Sequence, residues 1–372
     1  MTVTTTVLFV FGTRPEAIKM APAINCVRQR AGMRAVVAVT AQHREMLDQV
    51  LELFEIVPEY DLDLMRERQL PEEVLARALV ELSTLIREVD PDIVLVQGDT
   101  TTTLAGALAA FYTHVPVGHL EAGLRTDDLC SPFPEEGNRR LVSQVATLSF
   151  APTEHAAARL RAEGASPASV IMTGNTVIDA VMDVAERSVE LPALLATLPG
   201  EGRRLAVVTL HRRESWGAPL EEACLGIRDA LDATPDLVVV LPVHRNPVVA
   251  ETVNRVLGDH ESAVLTEPLG YVEFVKLLKK CTIVLSDSGG LQEEAAALGK
   301  PLLLLRETTE RPEGAEAGTL KLVGTDRATV ARETIALLGD ADAYRAMAEA
   351  PNPFGDGHAA EKIIDAIEEY LG

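Results

Sequence analysis

The feature that most constrains this 372-residue chain is an alternation of short apolar runs, rich in β-branched residues, with longer segments of helical pattern. VLFVF (7–11) precedes a helix opening at Pro15, AVVAVT (35–40) one through REMLDQVLELF, and DIVLVQ (92–97) one through TLAGALAAFY. RLAVVTL (204–210), DLVVVLPV (236–243), CTIVLS (281–286) and PLLLLR (301–306) repeat the grammar. Strands that are apolar on both faces must be covered on both faces, and the intervening helices supply the cover. The pattern therefore specifies parallel βαβ units. The chain is about two and a half times the usual domain length and carries two such series, which predicts two Rossmann-like α/β domains facing a cleft. We place them at 1–172 and 173–354. The boundary falls near GNTVIDA (174–180), with a polar stretch (188–203) just beyond.

Charge limits the partners. Thirty-four basic residues against 56 acidic ones leave a net charge of −22. Such a surface repels nucleic acid and anionic lipid, so neither is expected as a partner. The chain has only seven lysines, and Lys19 is the only one before Val275. Its four cysteines, Cys26, Cys130, Cys224 and Cys281, are too far apart for a metal motif or a disulfide framework and suit a reducing cytoplasm. The opening MTVTTTVLFVFG lacks the basic segment of a signal peptide, and no 18-residue apolar run is present. A cytoplasmic protein is expected.

In an open parallel sheet, ligands bind beyond the carboxyl ends of the strands, so the residues there carry the functional signal. FGTRPEAIKMAP follows the first run, putting Arg14 and Lys19 near a helix N-terminus, where an anion joining them would be favoured. GDTTTT follows the third, with Asp99 as the expected N-cap. VPVGHL ends in Glu121, and SPFPEEGNRR offers Glu135 and Glu136 at a helix opened by Pro134. Asp99, Glu121 and Glu135 are read as carboxylates on three successive loops, a set suited to general acid–base work. In the second half, HRRES and LPVHRNP bring His211, Arg212, Arg213, His244 and Arg245 to strand ends, an arrangement suited to an anion. SDSGGLQEEAAALG (286–299) is the strongest phosphate signal: backbone N–H groups of Ser288, Gly289 and Gly290 at a helix start bind a diphosphate without net charge. Glu294, one turn on, suits a ribose diol, and Arg311 lies in the following TTERPEG. The loop is neither GxxxxGK[ST] nor GxGxxG. Carboxylates on one domain and a diphosphate site on the other point to nucleotide-sugar chemistry.

These motifs resemble the non-hydrolysing UDP-N-acetylglucosamine 2-epimerases. GTRPEAIKMAP, TAQHREMLDQVL, GDTTTTLAGALAAFY, EAGLRT, SPFPEEGNRR, GNTVIDA, HRRES, PVHRNP, DSGGLQEEA, TTERPEG and NPFGDG match in order across nearly the whole chain. The resemblance implies a glycosyltransferase-B type fold whose last helix (355–372) crosses back to the first domain. It implies acid–base roles for Asp99, Glu121 and Glu135, and catalytic roles for His211 and Lys19. Arg14, Ser288, Gly289, Gly290 and Arg311 would hold the diphosphate, Glu294 the ribose, and Phe274 would flank the uracil. Gln42, Arg68, Glu136, Arg212 and His244 stand where many bacterial members bind a second, activating UDP-GlcNAc. Neither metal nor redox cofactor is implied, and a homodimer is common in the family. Gln97 departs from the family's usual His before Gly-Asp, Leu210 from a usual small residue, and Arg245 from a usual Leu.

The expected reaction interconverts UDP-GlcNAc and UDP-ManNAc through elimination of UDP, supplying ManNAc units for surface polysaccharide. Three alternatives stay open at this point: a hydrolysing epimerase releasing ManNAc and UDP, a UDP-sugar glycosyltransferase of the same fold, and a non-catalytic UDP-sugar sensor.

Overall fold

The computed structural model describes residues 4–40, 44–64, 69–126, 128–189 and 191–372, the side chains of 44–46 excepted. Two compact units emerge, one of residues 1–180 with 355–372 and one of residues 181–354.

In the first unit the strands are β1 (Thr5–Phe11), β2 (Met33–Val39), β3 (Tyr60–Asp61), β4 (Ile93–Gln97), β5 (Val117–Leu120), β6 (Leu148–Ala151) and β7 (Val170–Met172). They form one parallel sheet in the order β3-β2-β1-β4-β5-β6-β7. The helices are α1 (Arg14–Gln29), α2 (Arg44–Leu53), α3 (Pro71–Val89), α4 (Thr101–Tyr112), α5 (Glu135–Val145), α6 (Glu154–Ala162) and α7 (Thr176–Glu186), the last running across the unit boundary. The third apolar run is therefore the fourth strand, because the two-residue β3 at the sheet edge carries no such run.

The second unit holds α8 (Ala193–Thr197), β8 (Arg204–Thr209), α9 (Ala218–Ala233), β9 (Leu237–Pro242), α10 (Pro247–Leu257), β10 (Ala263–Thr266), α11 (Tyr271–Lys280) and β11 (Ile283–Ser286). It continues with α12 (Leu291–Ala297), β12 (Leu302–Leu304), α13 (Pro312–Ala317), β13 (Leu320–Leu322), α14 (Arg327–Gly339) and α15 (Ala341–Ala348). Its sheet is also parallel, ordered β10-β9-β8-β11-β12-β13. The last helix, α16 (Ala359–Leu371), belongs to the first unit and packs on α1. Its leading N–H groups, from Ala359 and Ala360, donate to the Asp179 carboxylate of α7 at 3.2 and 2.9 Å, which caps a helix end whose own N-cap, His358, makes no side-chain bond.

Each core is a sheet face against helices. Leu8, Val10, Val94 and Val96 pack with Leu82, Leu104 and Ala105 in the first unit; Ala206, Val208, Val239 and Leu285 pack with Cys224, Ile227 and Val253 in the second. Both sheets reverse strand order beside their first strand, so the loops after β1 and β4, and those after β8 and β11, diverge at a switch point. Those loops carry Asp99, His211, Arg212, Ser288, Gly289 and Gly290, and the helices they lead into carry Arg14, Lys19 and Glu294. Among the described residues, no helix is long and apolar enough to cross a membrane.

Candidate functional site

In the first unit the β1–α1 loop starts with a capping box. Thr13 caps α1 and Glu16 reaches back, accepting from the Gly12 and Thr13 N–H groups at 3.0 and 2.7 Å. Glu16 is buried, and it also accepts from the Thr100 hydroxyl at 2.6 Å, so one carboxylate ties the β1–α1 loop to the β4–α4 loop. Burial pushes its carboxyl up, and bonds from Thr100, Thr13 and Gly12 offset this only in part. Arg14 is the first residue of α1 and is half-buried. Lys19, one turn after Glu16, places Nζ 2.5 Å from Glu121 Oε1; the two side chains are 15% and 7% exposed.

Glu121 leaves β5 with φ at +59°, a left-handed conformation that costs a non-glycine residue about 1–2 kcal/mol. Such strain persists only where neighbours over-determine it. Here Lys19 and Asn175 (3.0 Å) meet Oε1, while Gln97 donates to Oε2. The residue that departs from the family's His is thus a hydrogen-bond donor to Glu121.

Asp99 does not cap α4. Thr100 does, its hydroxyl accepting from the Thr103 N–H, because the turn places the hydroxyl one residue further along at the helix entrance. The Asp99 carboxylate instead pairs with Arg139, Oδ2 to Nη2 at 2.5 Å. Nor are the three carboxylates on three loops: Glu121 begins, and Glu135 ends, the single connection from β5 to α5. Glu135 Oε2 is buried and has no hydrogen-bond partner among the described residues, an exception to the rule that buried polar atoms are paired. Glu136 has no exposed surface and accepts from Arg140 Nε (2.8 Å), Arg139 Nη1 (3.2 Å) and the Thr126 N–H (3.0 Å).

Beneath these groups His119 is wholly buried. It lies with Nε2 2.7 Å from the Gly98 carbonyl, and its Nδ1 has no partner among the described residues. Burial drives its pKa down to about 4, so the ring is neutral at pH 7 and Nε2–H donates.

In the second unit the strand ends carry arginines. Glu310 accepts from Arg212 (3.1 Å), Arg306 (2.8 Å) and Arg311 (3.2 Å). Burial alone would raise its carboxyl, but Arg311, Arg306 and Arg212 outweigh that and hold it at about 2. Arg311 also pairs with the buried Glu293 of α12. Gly289 lies against this cluster: a Cβ there would sit 2.7 Å from Glu310 Oε1, 2.9 Å from Arg212 Nη2 and 3.1 Å from Arg311 Nη1. The preceding turn is fixed by Ser286, whose hydroxyl meets Thr209 at 2.6 Å and accepts from the Ser288 N–H at 2.9 Å. Gly290 is the N-cap of α12, and Glu294 sits half-buried in its first turn.

His211 leaves β8 with Nδ1 3.0 Å from Asp287 Oδ1, while Asp287 Oδ2 accepts from the His211 and Arg212 N–H groups, each at 2.9 Å. Burial raises the Asp287 carboxyl, but the His211 ring and the two N–H groups prevail and hold it below the ordinary range. His244 is exposed, with its ring centroid 6.3 Å from that of His211. A cavity of about 540 Å³ opens beside it, lined in part by Val243, Arg245, Leu265, Thr266 and Glu267. Phe274, on α11, packs partly buried against the core. Gln42 and Arg68 lie outside the described residues.

Sequence reasoning passed over Glu16, Arg139, Asn175, Asp287, Glu293, Arg306 and Glu310. All but Arg306 fall inside motifs already singled out, so they were within reach. What linear spacing conceals is the pairing of residues 40 to 98 positions apart, such as Asp99 with Arg139 and Arg212 with Glu310.

A family model described as UDP-N-acetylglucosamine 2-epimerase matches residues 25–368. The chain is 48% identical over 370 residues to the Salmonella typhimurium UDP-N-acetylglucosamine 2-epimerase, covering 98% of each chain. Among solved structures, the Neisseria meningitidis UDP-GlcNAc 2-epimerase bound to UDP-GlcNAc is 44% identical with a TM-score of 0.90, covering 98% of this chain and 100% of that one. The S. aureus MnaA-UDP co-structure is 47% identical with a TM-score of 0.89, covering 99% and 97%.

Proposed function

The chain belongs to the UDP-N-acetylglucosamine 2-epimerase family, and from that premise we propose that it interconverts UDP-GlcNAc and UDP-ManNAc by eliminating UDP to 2-acetamidoglucal and adding it back. The observation that carries the reading is a partition of charge. The carboxylates Asp99, Glu121 and Glu135 belong to the first unit, and the arginines gathered around Gly289 and Glu310 belong to the second.

The chemistry needs both sets. The C2 hydrogen has no adjacent carbonyl, so a carboxylate cannot remove it from the intact sugar. When the diphosphate begins to leave C1, the developing oxocarbenium makes that proton acidic. The electron pair of the C2–H bond becomes the C1–C2 double bond, and UDP departs with the C1–O pair. Protonation from the opposite face, with UDP returning to C1, gives the inverted centre. We assign the diphosphate to Arg14, Arg311, His211 and the Ser288-Gly289-Gly290 turn, because developing negative charge is stabilised by donors fixed in advance. Glu294 is assigned to the ribose and Phe274 to the uracil face.

Asp99, Glu121 and Glu135 are assigned to proton transfer at C2. Glu135 Oε2, buried and with no hydrogen-bond partner among the described residues, supports its place there. Lys19 is assigned to the Glu121 carboxylate it pairs with.

The proposal extends to a second UDP-GlcNAc that activates. Exposed His244, beside its cavity, supports that part. A homodimer is also proposed, supported by exposed apolar side chains on α4 and on the two helices that pack against it: Val80 of α3, Phe111 and Tyr112 of α4, and Leu141 of α5. Its setting is the cytoplasm and its product a supply of ManNAc units for surface polysaccharide.

Incubation with UDP-GlcNAc in D2O tests the reaction. The expected result is a UDP-linked ManNAc product carrying deuterium at C2. Retained protium would refute the elimination, and free ManNAc with UDP would mark a hydrolysing enzyme.

A further inference from the structure

Arg139 is a cation that the assigned chemistry leaves unused. It sits on α5 one turn beyond Glu135, and its guanidinium spans two carboxylates: Nη2 lies 2.5 Å from Asp99 Oδ2 and Nη1 3.2 Å from Glu136 Oε2. The two are not equivalent. Glu136 has no exposed surface and is also held by Arg140 and the Thr126 N–H, whereas the Asp99 side chain is 25% exposed. A planar fork with fixed geometry transmits orientation from one partner to the other in a way that a point charge does not. The neighbouring Asn138 fixes the same turn, donating Nδ2 to the Asp99 carbonyl at 2.8 Å.

We propose that Arg139 is a positioning residue for the reaction: anchored on the buried Glu136, it engages Oδ2 of Asp99 and so aims the remaining oxygen, Oδ1, for proton transfer. The inference rests on the reading of Asp99 as an acid–base group. A plain counter-ion for Glu136 needs no contact with Asp99, since Arg140 already pairs with that carboxylate at 2.8 Å. The arrangement also gives the inward-facing Glu136 a route to the chemistry, through the arginine and without contact with substrate.

A double-mutant cycle on kcat tests the proposal, with C2 deuterium incorporation as the sensitive assay and UDP binding as the check on folding. R139Q is expected to lower kcat about 30-fold while KM moves less than about threefold, the loss of one charge-assisted contact felt in the transition state. In the D99N background the same change is expected to cost less than about twofold, because an effect transmitted through Asp99 vanishes with it. R139K, which keeps the charge without the fork, is expected to recover part of the lost kcat. Equal losses in both backgrounds would overturn the proposal and assign Arg139 to the fold. D99N retaining near-normal kcat would instead remove the reading of Asp99, a failure visible before Arg139 is altered. If R139Q does not bind UDP, the cycle is run with R139K under the same additivity criterion. If D99N turnover lies below detection, guanidinium ion is added to R139A and to the R139A/D99N pair: rescue of the single variant alone supports the proposal, and no rescue of either overturns it.

Discussion

The two units share one plan, a parallel sheet that reverses order beside its first strand, yet their strand ends carry opposite electrostatic designs. In the first unit carboxylates lead: among the described residues, Glu121 is met by one lysine, Asp99 by one arginine that it shares with Glu136, and Glu16 by neutral donors. In the second, arginines lead and acids serve as their counter-ions, three guanidinium groups converging on Glu310. The difference teaches why a net charge of −22 is compatible with an anionic substrate. Global charge governs the outer surface, while the field a diphosphate meets is local and belongs to one unit. It also predicts that lesions in the two units separate turnover from nucleotide affinity.

The largest effect should come from E121Q. Gln keeps the shape and cannot take a proton, and the glutamate it replaces is strained, paired with Lys19 and bonded to Gln97 and Asn175. Loss of an acid–base group costs about 10²–10⁴ in rate, so kcat should fall about 10³-fold while UDP affinity, measured by calorimetry, stays within about threefold. A matching fall in UDP affinity would break the division of labour between the units.

A second contrast is between the pH windows in which each unit loses stability. His119 has its folded pKa lowered from 6.5 to about 4, so the fold favours the neutral ring. The contribution is present above 6.5 and is lost as pH falls from 6.5 to 4, about 3 kcal/mol in all. Glu310 has its folded pKa lowered from 4.5 to about 2, so its contribution is present above 4.5 and fades only below that. Raised carboxyls at Glu16 and Asp179 act in the opposite direction, gaining stability as pH falls. The His119 share is therefore isolated by comparison with H119Q, which retains a donor for the Gly98 carbonyl and does not titrate. Urea unfolding at pH 7 and at pH 4 should show the wild type losing about 3 kcal/mol more than H119Q. Parallel losses would mean that His119 is protonated at no cost and that the unit's acid sensitivity lies elsewhere.

Legibility from sequence follows the same divide between local and long-range information. The apolar runs at 7–11, 35–40, 92–97, 204–210 and 281–286 each became a central strand, because a strand buried on both faces must be continuously apolar. The strands that the sequence reading passed over, β3, β6, β7, β10 and β13, are two to four residues long and sit at or next to sheet edges; all but the buried β6 are only partly covered, and runs this short carry little pattern. At the site, the motifs carry residue identity but not partner. Asp99 reads as a cap because capping is a local signal, yet Thr100 takes that role and Asp99 pairs with an arginine 40 positions away. Glu136 meets the same limit: nothing in SPFPEEGNRR says which of two adjacent glutamates turns inward, and it is Glu136 that is buried.

The smallest effect, and the sharpest probe of the second unit, is G289A. Gly289 is not in a left-handed conformation, so alanine brings no backbone strain. What it meets are the ends of long side chains: Glu310 Oε1 at 2.7 Å and Arg212 Nη2 at 2.9 Å must move aside, and Arg311 Nη1 at 3.1 Å must give by a few tenths of an ångström. Stability should therefore change little. The retreat moves two of the guanidinium groups away from the turn assigned to the diphosphate, so UDP affinity should weaken about tenfold, or about 1.4 kcal/mol, with kcat at saturating substrate falling far less than in E121Q. Should G289A instead lower kcat and leave UDP affinity unchanged, the arginine cluster would belong to the chemistry and the diphosphate would have to be reassigned to other donors.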